Sequence, residues 1–261
     1  MRSISLILSA KVCCSLLAAV CWALPALADG ENYSLWPQRP ESLEQARRLM
    51  DAGKLEEAVA LLQPLVLQGG MTGREAKDII GGLRIRQVLN PNGPDVKKYT
   101  VRSGDNWTKI VKRTGCSPAM LVHLNSLMSW PPYLRAGEVL KYRPLDFRVV
   151  VNVPEKEICL YDGENFVKAY PIAAMNDSAK KNAETHIREE QASKGAYEAL
   201  YAAVDKTLLL AAGGYVIEPA NGSSRAPGFF LSRQDCNELA MLTRAGNKVS
   251  IIREKEKGVE P

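Results

Sequence analysis

Few side chains in this sequence can serve as a nucleophile, a base or a metal ligand. The chain has six cysteines and two histidines, His123 and His186. Cys13, Cys14 and Cys21 lie in an apolar N-terminal stretch. Cys116, Cys159 and Cys236 are scattered singly, with neither the paired spacing of a zinc site nor a disulfide framework. No metal and no cofactor is expected. A thiolate nucleophile needs a base within hydrogen-bonding reach, and the pair left for that chemistry is Cys236 with His186. Cys236 shares a helical pattern with Leu239 and Leu242 and reads as core, while His186, in Thr-His-Ile-Arg-Glu-Glu, reads as exposed polar surface. Glu218 has no second carboxylate or nucleophile placed beside it, and Ser223-Ser224 reads as loop.

The elements that must position these groups begin after a leader. Arg2 and Lys11 precede the apolar run Val12–Leu24, and Ala26 and Ala28 fit the small-residue cleavage pattern of a secretory signal peptide, with processing after Ala28. The run is shorter than the ~20 residues of a membrane span. An uncleaved anchor and lipidation at Cys21 are the alternatives. The mature chain keeps Cys116, Cys159 and Cys236, an odd number for an exported protein, and the reading for all three is buried apolar thiols. No transmembrane segment is expected in the mature chain. A formal net charge of +5, 24% charged residues and 7% aromatics, without a basic stripe, argue against nucleic-acid binding.

The pattern then predicts an α+β chain. Helix is expected from Ser42 with Ala46, Leu49 and Met50 on one face. A break falls at Asp51–Lys54, and helix resumes over Glu56–Leu67 with Ala58, Leu61, Leu62 and Leu65 inward. Ala46, Gly53 and Ala58 carry the spacing of one tetratricopeptide unit, which cannot bury its faces alone. The hairpin is therefore expected to pack on its neighbour or on a helix at Arg74–Leu89. Asn90-Pro-Asn-Gly-Pro-Asp95 reads as a linker and domain boundary. Strands are expected at Phe147–Val153, Glu157–Tyr161 and Phe166–Ile172, with a turn at Asp162-Gly163. Helix is expected from Ala183, a hairpin at Gly213-Gly214, a helix over Asp235–Arg244 and a last strand over Lys248–Ile252. The expected divisions are 1–28 signal peptide, 29–95 helical hairpin and linker, 98–143, 146–253, and a charged tail at 254–261.

Residues 99–142 read Tyr-Thr-Val-Arg-Ser-Gly-Asp-Asn-Trp-Thr-Lys-Ile, then Leu-Val-His-Leu-Asn-Ser-Leu, then Leu-Arg-Ala-Gly-Glu-Val-Leu-Lys-Tyr. This segment resembles the lysin motif (LysM) family, a βααβ module that binds N-acetylglucosamine-containing glycans such as peptidoglycan. The residues have local reasons of their own. Tyr99 and Val101 alternate on a strand, Asp105 caps the first helix, Ile110 and Val111 bury it, and Leu121 and Leu124 bury the second. Asn125 supplies an amide or a left-handed helix end. The resemblance implies glycan contacts from Gly104, Asp105, Asn106 and Trp107 on one loop and Tyr133, Leu134, Arg135 and Ala136 on the other. Trp107 is either a sugar platform or core filler. His123, next to core positions, reads as structural.

Val149-Val-Val-Asn-Val153, Ile158-Cys-Leu-Tyr-Asp-Gly163 and Val167-Lys-Ala-Tyr-Pro-Ile172 resemble the opening hairpins of the L,D-transpeptidase catalytic domain, and 231–252 resembles its close. That family works through a cysteine thiolate in Ser-x-Gly-Cys-x-Arg and an upstream His-Gly histidine. Here Gly228 is followed by Phe229, and Ile217 by Glu218, so the implied domain is degenerate. The combined expectation is an exported cell-envelope protein that binds peptidoglycan glycan strands, with no catalytic residues and a pseudoenzyme scaffold. One alternative is an acyl transferase with a relocated nucleophile at Cys236 and His186. The other is an adaptor whose hairpin 42–67 docks a cell-wall enzyme.

Overall fold

From residue 40 onward the chain runs through α1 (Glu41–Asp51), α2 (Leu55–Leu62), a 3-10 stretch (Gln63–Gln68) and α3 (Gly70–Leu89). It continues as β1 (Lys97–Thr100), α4 (Trp107–Thr114), α5 (Pro118–Leu124) and β2 (Val139–Tyr142). Then come β3 (Arg148–Asn152), β4 (Glu157–Asp162), β5 (Asn165–Asn176), β6 (Ala183–Ala192), β7 (Lys206–Leu210), β8 (Val216–Pro219) and β9 (Gly228–Leu231). Helix α6 (Arg233–Leu242) and β10 (Lys248–Ile252) follow. The computed structural model describes residues 40–126, 133–192, 206–220 and 226–254. The leader, the serines at 223–224 and most of the tail lie outside the described residues.

The helical layer forms for reasons visible in its sequence. Leu43 and Ala46 are buried along α1, with Leu49 and Met50 packed beside them. The α1 helix starts at Glu41 after Pro40, with no side-chain cap, so Ser42 lies inside it rather than capping it. The expected continuous helix to Leu67 divides at Leu62, because Pro64 enters the first turn of the 3-10 stretch without an N–H to donate. Helix α3 then lies close on β5. A Cβ at Gly81 would stand 3.2 Å from the Lys168 side chain, so an added side chain there would require Lys168 to shift.

The run Val149-Val150-Val151 explains how this layer meets the sheet. Val149 and Val151 belong to one core with Leu160, Phe229 and Leu239, and Val150 belongs to a second with Cys159, Phe166 and the helical residues Leu62 and Ile80. A strand covered on both faces carries an unbroken apolar run rather than an alternating one. Around it the strands close into a barrel in the order β10-β3-β4-β5-β9-β8-β7-β6. The β3–β10 and β8–β9 pairs are parallel, and the other pairs are antiparallel.

The polar stretch expected as helix from Ala183 is strand β6. Its Ile187 is fully buried while His186 and Arg188 are exposed. That period-two pattern, with ladders on both sides to β7 and β10, outweighs the helix-forming composition. The turn at Asn90–Asp95 does not separate independent bodies, because residues 40–254 fall within one compact unit.

Between α3 and the barrel, β1 pairs antiparallel with β2 and the two short helices lie between them in sequence. Asn125 fastens this βααβ segment. Its amide donates to the carbonyls of Leu121 and Lys141, and its Oδ1 accepts from Lys141 N–H, each at 2.8 Å. Its φ is −108°, so it works as an amide and not as a left-handed residue. Asn125→Ala should lower stability by about 2 kcal/mol, since it strands partly buried backbone groups. Chemical denaturation of the two proteins measures this.

Candidate functional site

Two places could carry chemistry. The first is the pair of strands β8 and β9, where the L,D-transpeptidase resemblance sets Glu218 and Phe229. Their parallel register places Ile217 opposite Phe229 and Glu218 opposite Phe230. Neighbours in such a ladder share a face, and successive residues alternate. Phe229 and Glu218 therefore point to opposite faces of the sheet and cannot act as a nucleophile–base pair. Phe229 is fully buried and stacks on Tyr215 with ring centroids 5.9 Å apart. Glu218 is half-buried on the other face and accepts from the Thr207 hydroxyl.

Gly228 is required at this point. A Cβ there would lie 2.4 Å from the carbonyl oxygen of Val216, so the strands approach too closely for any side chain. Tyr215 is held in turn by Asp177, which accepts its hydroxyl at 2.7 Å and takes two bonds from Arg253 at 2.7 and 3.2 Å. The Arg253 guanidinium also lies 5.4 Å from the centre of the Tyr215 ring. Burial raises the Asp177 pKa, but the hydrogen bonds from Arg253 and Tyr215 outweigh it and leave the carboxyl below its ordinary value. The position expected for a nucleophile is thus filled by an aromatic stack and tied down by a buried ion pair.

The relocated pair fares no better. Cys236 is fully buried on α6 and donates to the Lys206 carbonyl at 3.4 Å. His186 is exposed on β6, so the two do not form a solvent-reachable dyad. Cys116 and Cys159 are also buried; burial pushes the Cys116 thiol up to about 12, and burial followed by the Glu157 charge raises that of Cys159. None of these thiols is disulfide-bonded. Among the described residues no cluster of His, Cys, Asp and Glu is arranged to hold a metal ion. Sequence reasoning missed the buried pair Lys206–Glu190, 3.0 Å apart, and the Asp177–Arg253–Tyr215 cluster. Lys206 carried a usable signal, since it opens the run Lys-Thr-Leu-Leu-Leu at an inward parity.

The second place is the end of the βααβ segment. Val101 N–H donates to the Glu138 carbonyl and Gly137 N–H to the Val101 carbonyl, each at 2.8 Å, which sets the loop after β1 beside the loop before β2. Gly104, Asn106, Arg135 and Ala136 are exposed, and Tyr133 is 88% exposed. Leu134 and Trp107 are half-buried against the main core. The helix cap is Asn106, whose Oδ1 accepts from Lys109 N–H at 2.9 Å, and not Asp105. Asp105 faces inward and receives the Arg102 N–H, the Tyr99 hydroxyl and the Arg113 guanidinium, which hold its pKa below the ordinary carboxylate value. Its carboxylate braces the loop. His123 is bonded through Nε2 to the Leu89 carbonyl at 2.9 Å, tying the segment to α3.

No protein-family model matches the chain, and no curated protein matches it. Among solved structures, its neighbours are L,D-transpeptidases. Mycobacterium tuberculosis L,D-transpeptidase 1 is 11% identical over 47% of this chain and 72% of that one, with a TM-score of 0.33. The catalytic domain of the Enterococcus faecium L,D-transpeptidase is 10% identical over 41% and 97%, at 0.32. The Mycobacterium smegmatis L,D-transpeptidase is 9% identical over 60% and 82%, at 0.33.

Two outcomes follow from the barrel geometry. Phe229→Cys should not create an enzyme, because the new thiol would face the sealed core with no base beside it. Muropeptides bearing tetrapeptide stems should remain unchanged, and a disulfide reagent should label that thiol only after denaturation. The Asp177 carboxyl has a depressed folded-state pKa, so its stabilisation is present above the unfolded value near 3.8 and fades as pH falls through the folded value. Asp177→Asn should lower the melting temperature at pH 7 and narrow the loss of stability on acidification, read by melting curves from pH 7 to pH 2.

Proposed function

We propose that this is an exported cell-envelope protein that binds peptidoglycan or related N-acetylglucosamine glycans through residues 98–143, and that its barrel is a non-catalytic, L,D-transpeptidase-like scaffold. The observation that carries the reading is the pairing of the two exposed loops at one end of β1 and β2, where the sequence resemblance to the lysin motif puts the glycan. A sugar there would meet backbone groups, the Asn106 and Arg135 side chains and the exposed Tyr133 ring, a combination of polar donors and an apolar platform. Asp105 serves as a positioning residue for that loop, and Trp107 packs beneath it.

The scaffold reading is supported by the filled Phe229 position and the opposed faces of Phe229 and Glu218. Export rests on the leader sequence, with Asp29 as the mature N-terminus. Among the described residues no helix is long and apolar enough to cross a membrane. A specific feature also favours an adaptor role for the helical hairpin: Leu67 and Met71, either side of the turn into α3, are 86% and 85% exposed.

The test is sedimentation with insoluble peptidoglycan. The chain from Asp29 onward should be retained, and Tyr133→Ala combined with Arg135→Ala should weaken retention about tenfold or more without shifting the melting temperature. These exposed positions separate binding from folding, which Asp105→Ala cannot do. Equal retention of the double variant would reject this site, and no retention of the parent chain would reject glycan binding.

A further inference from the structure

A cleft of about 250 Å³ opens where α3, the turn at Asn90–Asp95 and the β4–β5 hairpin meet. It shares no residue with the two loops or with the Phe229 position. Arg143 lies in its wall just after β2, with a side chain 11% exposed. It pairs at 2.9 Å with Asp95, whose side chain is 65% exposed. A second guanidinium in the cleft, Arg84, is 26% exposed and holds Glu56, itself 66% exposed, at 3.0 Å. In both pairs the cation is the sheltered partner and the carboxylate stands on the solvent side. Asp162 adds a further exposed carboxylate from the hairpin, and the buried Val88 and Phe166 supply apolar wall.

A guanidinium withdrawn from water requires a counter-charge. The counter-charge of Arg143 is the exposed and therefore exchangeable half of its pair. A carboxylate from a ligand can take the place of Asp95 on the Arg143 guanidinium. Asp95, once released, stands with Asp162 as an acceptor for a positive group. The exchange conserves charge when the ligand brings one group of each sign. A purely anionic ligand would leave Asp95 without its partner, and a purely cationic one would leave Arg143 as it is. The volume lies below the ~300–1,000 Å³ of pockets for drug-sized ligands, which limits the ligand to a few residues at most.

We infer that this cleft binds a free amino acid or short peptide, with the ligand carboxylate on Arg143 and its ammonium between Asp95 and Asp162. The assignment is independent of glycan binding.

Glycylglycine, which carries both charges and no side chain, is the probe for calorimetric titration of the full chain. Saturable binding is expected. The C-terminal amide and the N-acetyl form should each bind about tenfold or more weakly, the loss of one charge-assisted contact. Arg143→Lys, which keeps the charge but not the fork, should weaken glycylglycine by about the same factor. Asp162→Asn, at an exposed position where folding is not at stake, should weaken it severalfold while leaving the melting temperature unchanged. Full binding by the Tyr133→Ala, Arg135→Ala protein is expected, so a failure of glycan retention leaves this result separate. Absence of binding by glycylglycine would overturn the inference. Equal binding of the amide, of the N-acetyl form or of acetate would overturn it as well, and so would an unaltered affinity in Asp162→Asn.

Discussion

Helix α6 has to bury one broad face, and the rest of the molecule is arranged around that requirement. Cys236, Leu239, Ala240 and Leu242 are fully buried. The helix contacts β7, β8 and β9 of the barrel and, beyond them, α5 of the βααβ segment. Glu238, on its partly buried side, is bonded inside the protein. Glu238 accepts from Lys168 at 2.6 Å and from the Tyr170 hydroxyl at 3.0 Å, and Thr243 Oγ1 donates to the Leu239 carbonyl at 2.8 Å. A buried hydroxyl such as that of Tyr170 costs stability unless it is bonded, so Glu238 is needed where it stands. Burial and the adjacent Glu238 charge both raise the Tyr170 pKa, which keeps the phenol neutral and donating.

The same helix unites what the sequence presents as separate modules. Ser117 Oγ, which caps α5, also bonds the Met241 carbonyl at 2.5 Å. Leu145 N–H donates to the Gly115 carbonyl, Asn247 Nδ2 to the Leu145 carbonyl, and Arg244 pairs with Asp146. Met120, Leu121 and Leu124 join Leu239 and Leu242 in one core. This continuity explains why the proline- and glycine-rich turn at Asn90–Asp95 lies within one compact unit. Turn chemistry marks where the chain reverses, while independence depends on which faces remain to be covered.

The parts legible in the sequence were those governed by local periodicity. The valine strand and the Asp162-Gly163 turn follow from spacing of apolar residues and turn formers. Strand β6 was not legible, because Glu184, Arg188, Glu189 and Glu190 are helix-favouring in composition and their strand state is imposed by two neighbouring ladders. The capping role was misplaced by one residue, since Asp105 and Asn106 are both good caps and tertiary partners decide between them. Tyr99 and Arg113 draw Asp105 inward, leaving Asn106 to cap α4. At the barrel the sequence places Phe229 and Glu218 where the resemblance implies Cys and His. It could not show that residues 218 and 229 face opposite sides, because that parity is a property of the β8–β9 register.

The orientation of α4 has a consequence for how glycan binding and scaffold would coexist. Its N-terminus, at Asn106 and Trp107, adjoins the exposed loops; its C-terminus, at Thr114 and Gly115, is seated against Leu145 and Arg244. Eight residues at 1.5 Å each separate these ends by about 12 Å. Burial of the βααβ segment against α6 therefore takes up one end and leaves Tyr133, Arg135 and Asn106 free at the other. A seat nearer the loops would have covered Tyr133 and Arg135, and a flexible tether would have left α5 with an exposed apolar face. The attachment covers the apolar surface of the small segment at the end away from the two exposed loops.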